Sequence, residues 1–175
     1  DPEYLARRDR DFRWIATVAG AVQKLTVARV LIEAGDPAGA NVALAECAEA
    51  AADVSETRIA HAFLGARVAS LSGDRDGTHA RIDKVRLVLA DHPARSFRWE
   101  SDCVAGIALA GPGATDEDRS EGIALLQKSA RVALHPLERH VANFHLARAH
   151  LAAGNRKAAT AVWQMLLEDG IPSHM

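Results

Sequence analysis

Aromatic residues are scarce in this chain of 175 residues: one Tyr, four Phe and three Trp, 5% in all. Cysteine and methionine number two each, and neither sign of charge dominates, with 21 Lys+Arg against 23 Asp+Glu. Each shortage excludes something. A formal charge of −2 and a pI near 6.5 argue against a general affinity for nucleic acid or an anionic membrane, both of which draw on a basic excess. No unbroken apolar run approaches the roughly 20 residues of a bilayer-spanning helix, so no membrane contact is expected. The start, Asp1-Pro2-Glu3-Tyr4-Leu5, has neither an initiator Met nor a signal-peptide pattern, and a fragment or processed chain is expected. Cys47 and Cys103 have no partners at metal or redox spacing and read as small core residues of a cytoplasmic, reducing compartment.

Catalytic signatures are missing too. There is no Gly-x-Ser-x-Gly and no phosphate loop ending in Gly-Lys-Ser/Thr. His135, His140, His145 and His150 are spaced by five, which rotates successive imidazoles away from each other, unlike the i, i+4 pair of a zinc helix. His79, His92 and His174 lie near turns or the terminus and are expected to be solvated. No enzyme activity, no metal and no cofactor is therefore expected.

What the chain does have is 49% hydrophobic residues with 25% charged. At this length a single domain over residues 1–175 buries about two thirds of its unfolded surface. An internal repeat organises that domain. Val27 to Asp36, Gly65 to Asp74 and Leu146 to Asn155 align without gaps. Each reads as the end of an apolar helix closed by Gly35, Gly73 or Gly154, with an acid or amide next in line to cap the following helix. Second helices follow at Ala38 to Ala52, Gly77 to Ala90 and Lys157 to Glu168, with apolar residues at spacings of three and four. They stop at Asp53, at Asp91-His92-Pro93 and at Asp169-Gly170-Ile171-Pro172.

Gly35 and Gly73 are 38 residues apart, so a further turn is expected near position 111, where Ala110-Gly111-Pro112-Gly113 stands. In this copy Ala114 to Arg119 reads as an exposed acidic loop, with Asp118 or Ser120 as the cap of a helix from Ser120 to Ala133. The fold class is all-α: a right-handed α-solenoid of about four helix-turn-helix hairpins with an N-terminal helix. The boundaries are about 4–21 for that helix, which can merge with the first hairpin, and about 22–55, 56–93, 96–136 and 137–172 for the hairpins. A closed bundle of eight or nine helices is the alternative.

These residues resemble the tetratricopeptide repeat (TPR). Its pattern has a small residue in the first helix, Gly-Asp at the turn, and Ala with a large apolar residue in the second helix. Leu146, Ala147, Gly154, Ala159, Trp163 and Pro172 match it best. Val27, Ala28, Leu31, Gly35, Ala40, Leu44 and Cys47 follow it in the first unit. In the second, Thr78 replaces the expected Ala, with Ile82 and Val85 after it. The third unit is degenerate, with Gly106 and Gly122 in its small positions. The units exceed the usual ~34 residues and are similar in this to the helical region of maltose-regulator-type bacterial transcription activators. The resemblance implies a binding module that takes a protein or peptide segment on a concave groove, or another domain of the same parent chain.

Arg29, Arg67 and Arg148 occupy one register, six residues before the turn glycine. In the family pattern that register borders the groove, where guanidinium groups would suit an acidic peptide, a carboxylate or an anionic effector. Leu25, Phe63 and Phe144 stand four residues earlier and are expected as apolar anchors. The competing reading is internal pairing, as between Arg29 and Glu33 at i, i+4. Trp14, Trp99 and Trp163 are expected where helices meet. Arg95, Phe97, Arg98 and Trp99 are too few for a nucleic-acid patch. The apolar last helix, ending Met165-Leu166-Leu167, leaves a face for further repeats, a partner or a homodimer. The functional expectation is an interaction scaffold; its rival is an effector-sensing or autoinhibitory domain of a larger bacterial transcription regulator.

Overall fold

A computed structural model describes the backbone of residues 2–52, 54–90, 97–111 and 114–168. Among these residues the protein is all-helical, with no strand. The eight helices are α1 (Pro2–Glu33), α2 (Pro37–Ala52), α3 (Ser55–Leu71), α4 (Arg75–Ala90), α5 (Phe97–Leu109), α6 (Asp116–Val132), α7 (Pro136–Ala152) and α8 (Arg156–Glu168). Asp53, Asp91 to Pro93 and Asp169 to Pro172, expected as helix stops, lie outside the described residues. So do Pro112, Gly113, Arg95 and His174.

The repeated turn is built the same way three times. Gly35, Gly73 and Gly154 take φ of +78°, +71° and +74°, the left-handed region that a Cβ disfavours. Each glycine N–H donates three residues back, and the next residue donates five back: Asp36 to the Leu31 carbonyl, Asp74 to Ala69 and Asn155 to His150, at 2.9, 3.0 and 2.8 Å. This double closure satisfies carbonyls that the helix end would otherwise orphan. The same Asp36, Asp74 and Asn155 then cap the next helix, their Oδ1 accepting from the backbone N–H of Gly39, Gly77 and Ala158 at 2.9, 2.9 and 3.3 Å. One two-residue unit thus ends one helix and starts another.

The turn between α5 and α6 differs. Thr115 is the cap, its Oγ1 accepting from the Asp118 N–H at 3.1 Å. Asp116, Glu117 and Asp118 form the first turn of α6, which corrects the expectation of an acidic loop running to Arg119 and of a cap at Asp118 or Ser120. Carboxylates in a first turn face the positive end of the helix dipole and favour the longer helix.

α1 is one continuous helix, so the N-terminal helix and the first hairpin have merged. No cap or stop residue interrupts it, and a Cβ on Gly20 would meet nothing within 4 Å. One stripe of α1, Ala21, Leu25, Ala28 and Ile32, is buried against α2 and α3. The same spacing continues back through Val18 to Trp14, which is 52% exposed and so is not the helix-junction anchor expected. Asp11–Glu33 has a window of mean hydropathy 1.5 and is long and apolar enough to cross a membrane. That corrects the expectation of no such stretch, because Lys24 and Arg29 interrupt it without lowering its mean far enough. Its buried stripe is nonetheless committed to the core of this fold.

Helices pack with their chain neighbours, and each first helix also packs on the next: α1 on α3, α3 on α5, α5 on α7. Among the described residues no helix pair further apart along the chain makes backbone contact. The core is correspondingly a succession of clusters, from Leu25, Ile32, Leu44 and Val68, through Ala66, Ile82 and Ala108, to Cys103, Leu126, Ala142 and Leu146. Ala28, Ala66 and Ala147, each next to a register arginine, are fully buried; only a small side chain fits where helices approach this closely. Gly106 and Gly122 bring α5 and α6 together in the same way.

Candidate functional site

An open cavity of about 350 Å³ is lined by α3, α5, α6 and α7. The half-buried Leu71 and Ile107 contribute apolar wall, while Arg67, Arg119, His145 and Arg148 contribute its polar groups. Two of the three register arginines therefore share one cavity. Arg67, whose side chain is only 17% exposed, places Nη1 2.7 Å from Glu33 Oε1. Burial would raise the Glu33 carboxyl, but the Arg67 hydrogen bond and charge, with His145 and Arg148 further off, bring it below its ordinary value. Arg148 forms no ion pair among the described residues; its guanidinium stands 5.8 Å from the Phe144 ring centroid, a cation–π contact that leaves its donors free.

Arg119 enters this cavity from α6. The fourth residue after the cap donates its N–H to the cap carbonyl in all four second helices: Ala40 to Asp36, Thr78 to Asp74, Ala159 to Asn155, and Arg119 to Thr115. Where three units carry a small side chain, the third carries arginine. Its side chain is 19% exposed. Nη1 contacts Asp116 Oδ1 at 3.2 Å, Nη2 donates to the Ala114 carbonyl at 3.1 Å, and Nε is buried without a partner. His145 completes the set. Burial, and then the charges of Arg67 and Arg148, push its imidazole down to about 4 against a weaker pull from Glu33, so it is neutral at neutral pH.

The remaining expected site residues go elsewhere. Leu25 and Phe63 are buried in the core, which corrects their reading as groove anchors: at these positions the first helices turn toward the adjacent hairpins. Phe144 is 43% exposed and meets Trp163 edge-on at 5.2 Å. Arg29 is exposed and outside the cavity. The charge of Arg29 eases the burial that raises the Glu100 carboxyl, and Glu33 is paired with Arg67 instead.

A second polar cluster lies between α4 and α6. Buried Asp118 receives Arg75 through Nε at 2.6 Å and Nη2 at 3.1 Å, His79 Nε2 at 2.9 Å and Thr115 Oγ1 at 2.8 Å. The Arg75 hydrogen bond, helped by Thr115 and His79 against the effect of burial, holds its carboxyl well below the usual carboxylate range. His79 is thus engaged, not simply solvated. The adjoining void of about 20 Å³ has room for a water molecule and no more, so the cluster is a clasp. Burial pushes the Cys103 thiol up to about 12 and raises Cys47 as well, so neither is a nucleophile at neutral pH. Among the described residues no group of three or more His, Cys, Asp or Glu is placed to hold a metal ion.

No family model, curated protein or solved structure matches the chain.

Proposed function

We propose that this protein is a non-catalytic protein–protein interaction scaffold, a TPR-like α-solenoid of four hairpins that takes an acidic partner segment along the surface made by its first helices. The three identical glycine turns, the first-helix packing and the confinement of helix contacts to the same or the adjacent hairpin support the solenoid reading. The observation that carries the function is the shared cavity, whose wall includes both Arg67 and Arg148. Guanidinium groups so placed favour carboxylates, and the half-buried Ile107 and Leu71 add contact with aliphatic side chains.

Calorimetric titration with a fluorescently silent Glu/Leu-rich peptide and its Lys/Leu counterpart tests this. Binding of the acidic peptide alone, lost in a folded Arg67→Gln/Arg148→Gln variant, is the expected result. Equal binding of both peptides, or binding untouched by the variant, would sink it. The cavity volume itself favours a second reading: about 350 Å³ lies within the range of small-ligand sites, as a sensor domain of a transcription regulator would need.

A further inference from the structure

We infer that the cavity between α3, α6 and α7 is a phosphomonoester site, in which Arg119 and Arg148, beside Arg67, hold a doubly charged phosphate group. The inference deepens the proposed function and rests on its assignment of this cavity as the binding site.

Charge balance argues for a dianion over a carboxylate. Three guanidinium groups line the cavity. Arg67 is matched by Glu33. Arg148 has no carboxylate partner among the described residues, and the carboxylate paired with Arg119 is Asp116, which is fully exposed and, screened by water, offsets little of a buried charge. Two positive charges are left with weak or no compensation, and a single carboxylate would neutralise one. A phosphomonoester carries close to two negative charges at neutral pH and three acceptor oxygens, enough to take up the idle donors of Arg148 and to offset the charge of Arg119 beside it.

The departure of the third unit from the repeat points the same way. Arg119 replaces the small residue that follows the other caps, at the end of a turn with three more residues between glycine and cap than its counterparts. A long cation in a small-residue position is a cost to packing that an unoccupied cavity does not repay. His145 supplies an internal reporter. The groups that face it are Arg67 from α3, Arg148 on its own helix and Glu33 from α1, with Arg119 from α6 lining the same cavity. Neutral in the free protein, it gains a proton-stabilising neighbour when a dianion arrives.

The test titrates the whole chain at neutral pH with phenyl phosphate, with benzoate, and with the Glu/Leu peptide carrying or lacking one phosphoserine. It uses calorimetry at that pH, and the His145 C2–H signal is followed by NMR through a pH series with and without phenyl phosphate. We expect phenyl phosphate to bind about tenfold or more tightly than benzoate, the ratio that one additional charge-assisted contact supplies, and the His145 titration midpoint to move up. Folded Arg148→Gln and Arg119→Gln variants should lose that preference. Benzoate binding as well as phenyl phosphate, an unmoved His145 midpoint, or an unchanged preference in both variants would overturn the inference. If both peptides bind alike, the phosphomonoester reading fails and the acidic-partner reading stands. If phenyl phosphate binds and neither peptide does, the phosphate site stands as that of a small phosphorylated effector and the partner-segment reading fails.

Discussion

Gly106 and Gly122 meet reciprocally: a Cβ built on either would come within 2.8 Å of the other's carbonyl oxygen. A Cβ at Gly106 would also lie 2.7 Å from Leu126 Cγ, and one at Gly122 lies 2.8 Å from the Ala110 amide nitrogen. Backbone atoms cannot swing aside as a side-chain tip can. Gly106→Ala and Gly122→Ala each gain up to about 1 kcal/mol of helix propensity and lose roughly 1–3 kcal/mol to overpacking, so the net expectation is a lower melting temperature. Gly20→Ala, in open space on α1, should raise stability by about 0.5–1 kcal/mol. Thermal melts of the three variants check the contrast, and a stabilised Gly122→Ala would contradict it.

At Gly35, Gly73 and Gly154 the opposite argument holds. A Cβ would meet nothing within 4 Å at any of them, yet each has positive φ. Alanine there should cost about 1 kcal/mol through backbone strain alone. Asparagine, which tolerates the left-handed region better, should cost less. The three turns are separate in the fold, so a triple alanine variant should lose the sum of the single losses. Urea unfolding midpoints provide the measurement.

Asp118→Asn removes the charge that receives Arg75 and His79 and should destabilise by roughly 1–3 kcal/mol, the range for hydrogen bonds to a buried charged group. Asp116→Asn, which touches Arg119 from a fully exposed position, should change stability by less than about 0.5 kcal/mol. Equal effects of the two would mean that the clasp between α4 and α6 is not holding them. Because the folded Asp118 carboxyl sits below its ordinary value, its contribution is complete above about pH 4 and is lost as pH falls further.

Acid sensitivity should begin earlier, from the histidines. His145 is held at about 4 in the fold against an ordinary 6.5, and burial lowers His150 in the same direction. Between those values the unfolded chain binds protons that the folded chain does not, so stability is whole above about pH 6.5 and declines as pH drops toward 4. Stability measured at pH 7.5 should exceed that at pH 5, and His145→Gln should flatten the difference. A profile that is level between these two pH values would remove the argument.

The turns and the helices were legible because their chemistry is local. Gly-Asp and Gly-Asn carry both the left-handed residue and the following cap, and helix stripes such as Ala40, Leu44 and Cys47 need only spacing. The site was legible in part. Arg67 and Arg148 were found by register, but register cannot report that Arg29 stands apart from its counterparts, or that the positions of Leu25 and Phe63 face inward. Those outcomes depend on packing between hairpins. His145 had a visible signal, three residues before Arg148 on one helix face. Arg119 had one too, but only once Thr115 is taken as the cap, because then it aligns with Ala40, Thr78 and Ala159. Reading the acids after Thr115 as a loop hid that alignment.

The neighbour-only packing of the helices has a kinetic consequence. Among the described residues, helices that touch belong to one hairpin or to adjacent ones, so no loop longer than about two hairpins must be closed before a contact forms, and folding should be fast for a chain of this size. The same arrangement means that loss of one hairpin from an end removes a single interface, so α7 and α8 can open and reclose without disturbing the packing of α1, α2 and α3. With the phosphate-reading cavity built partly on α7, occupancy of that cavity and fraying of the C-terminal end would draw on one equilibrium.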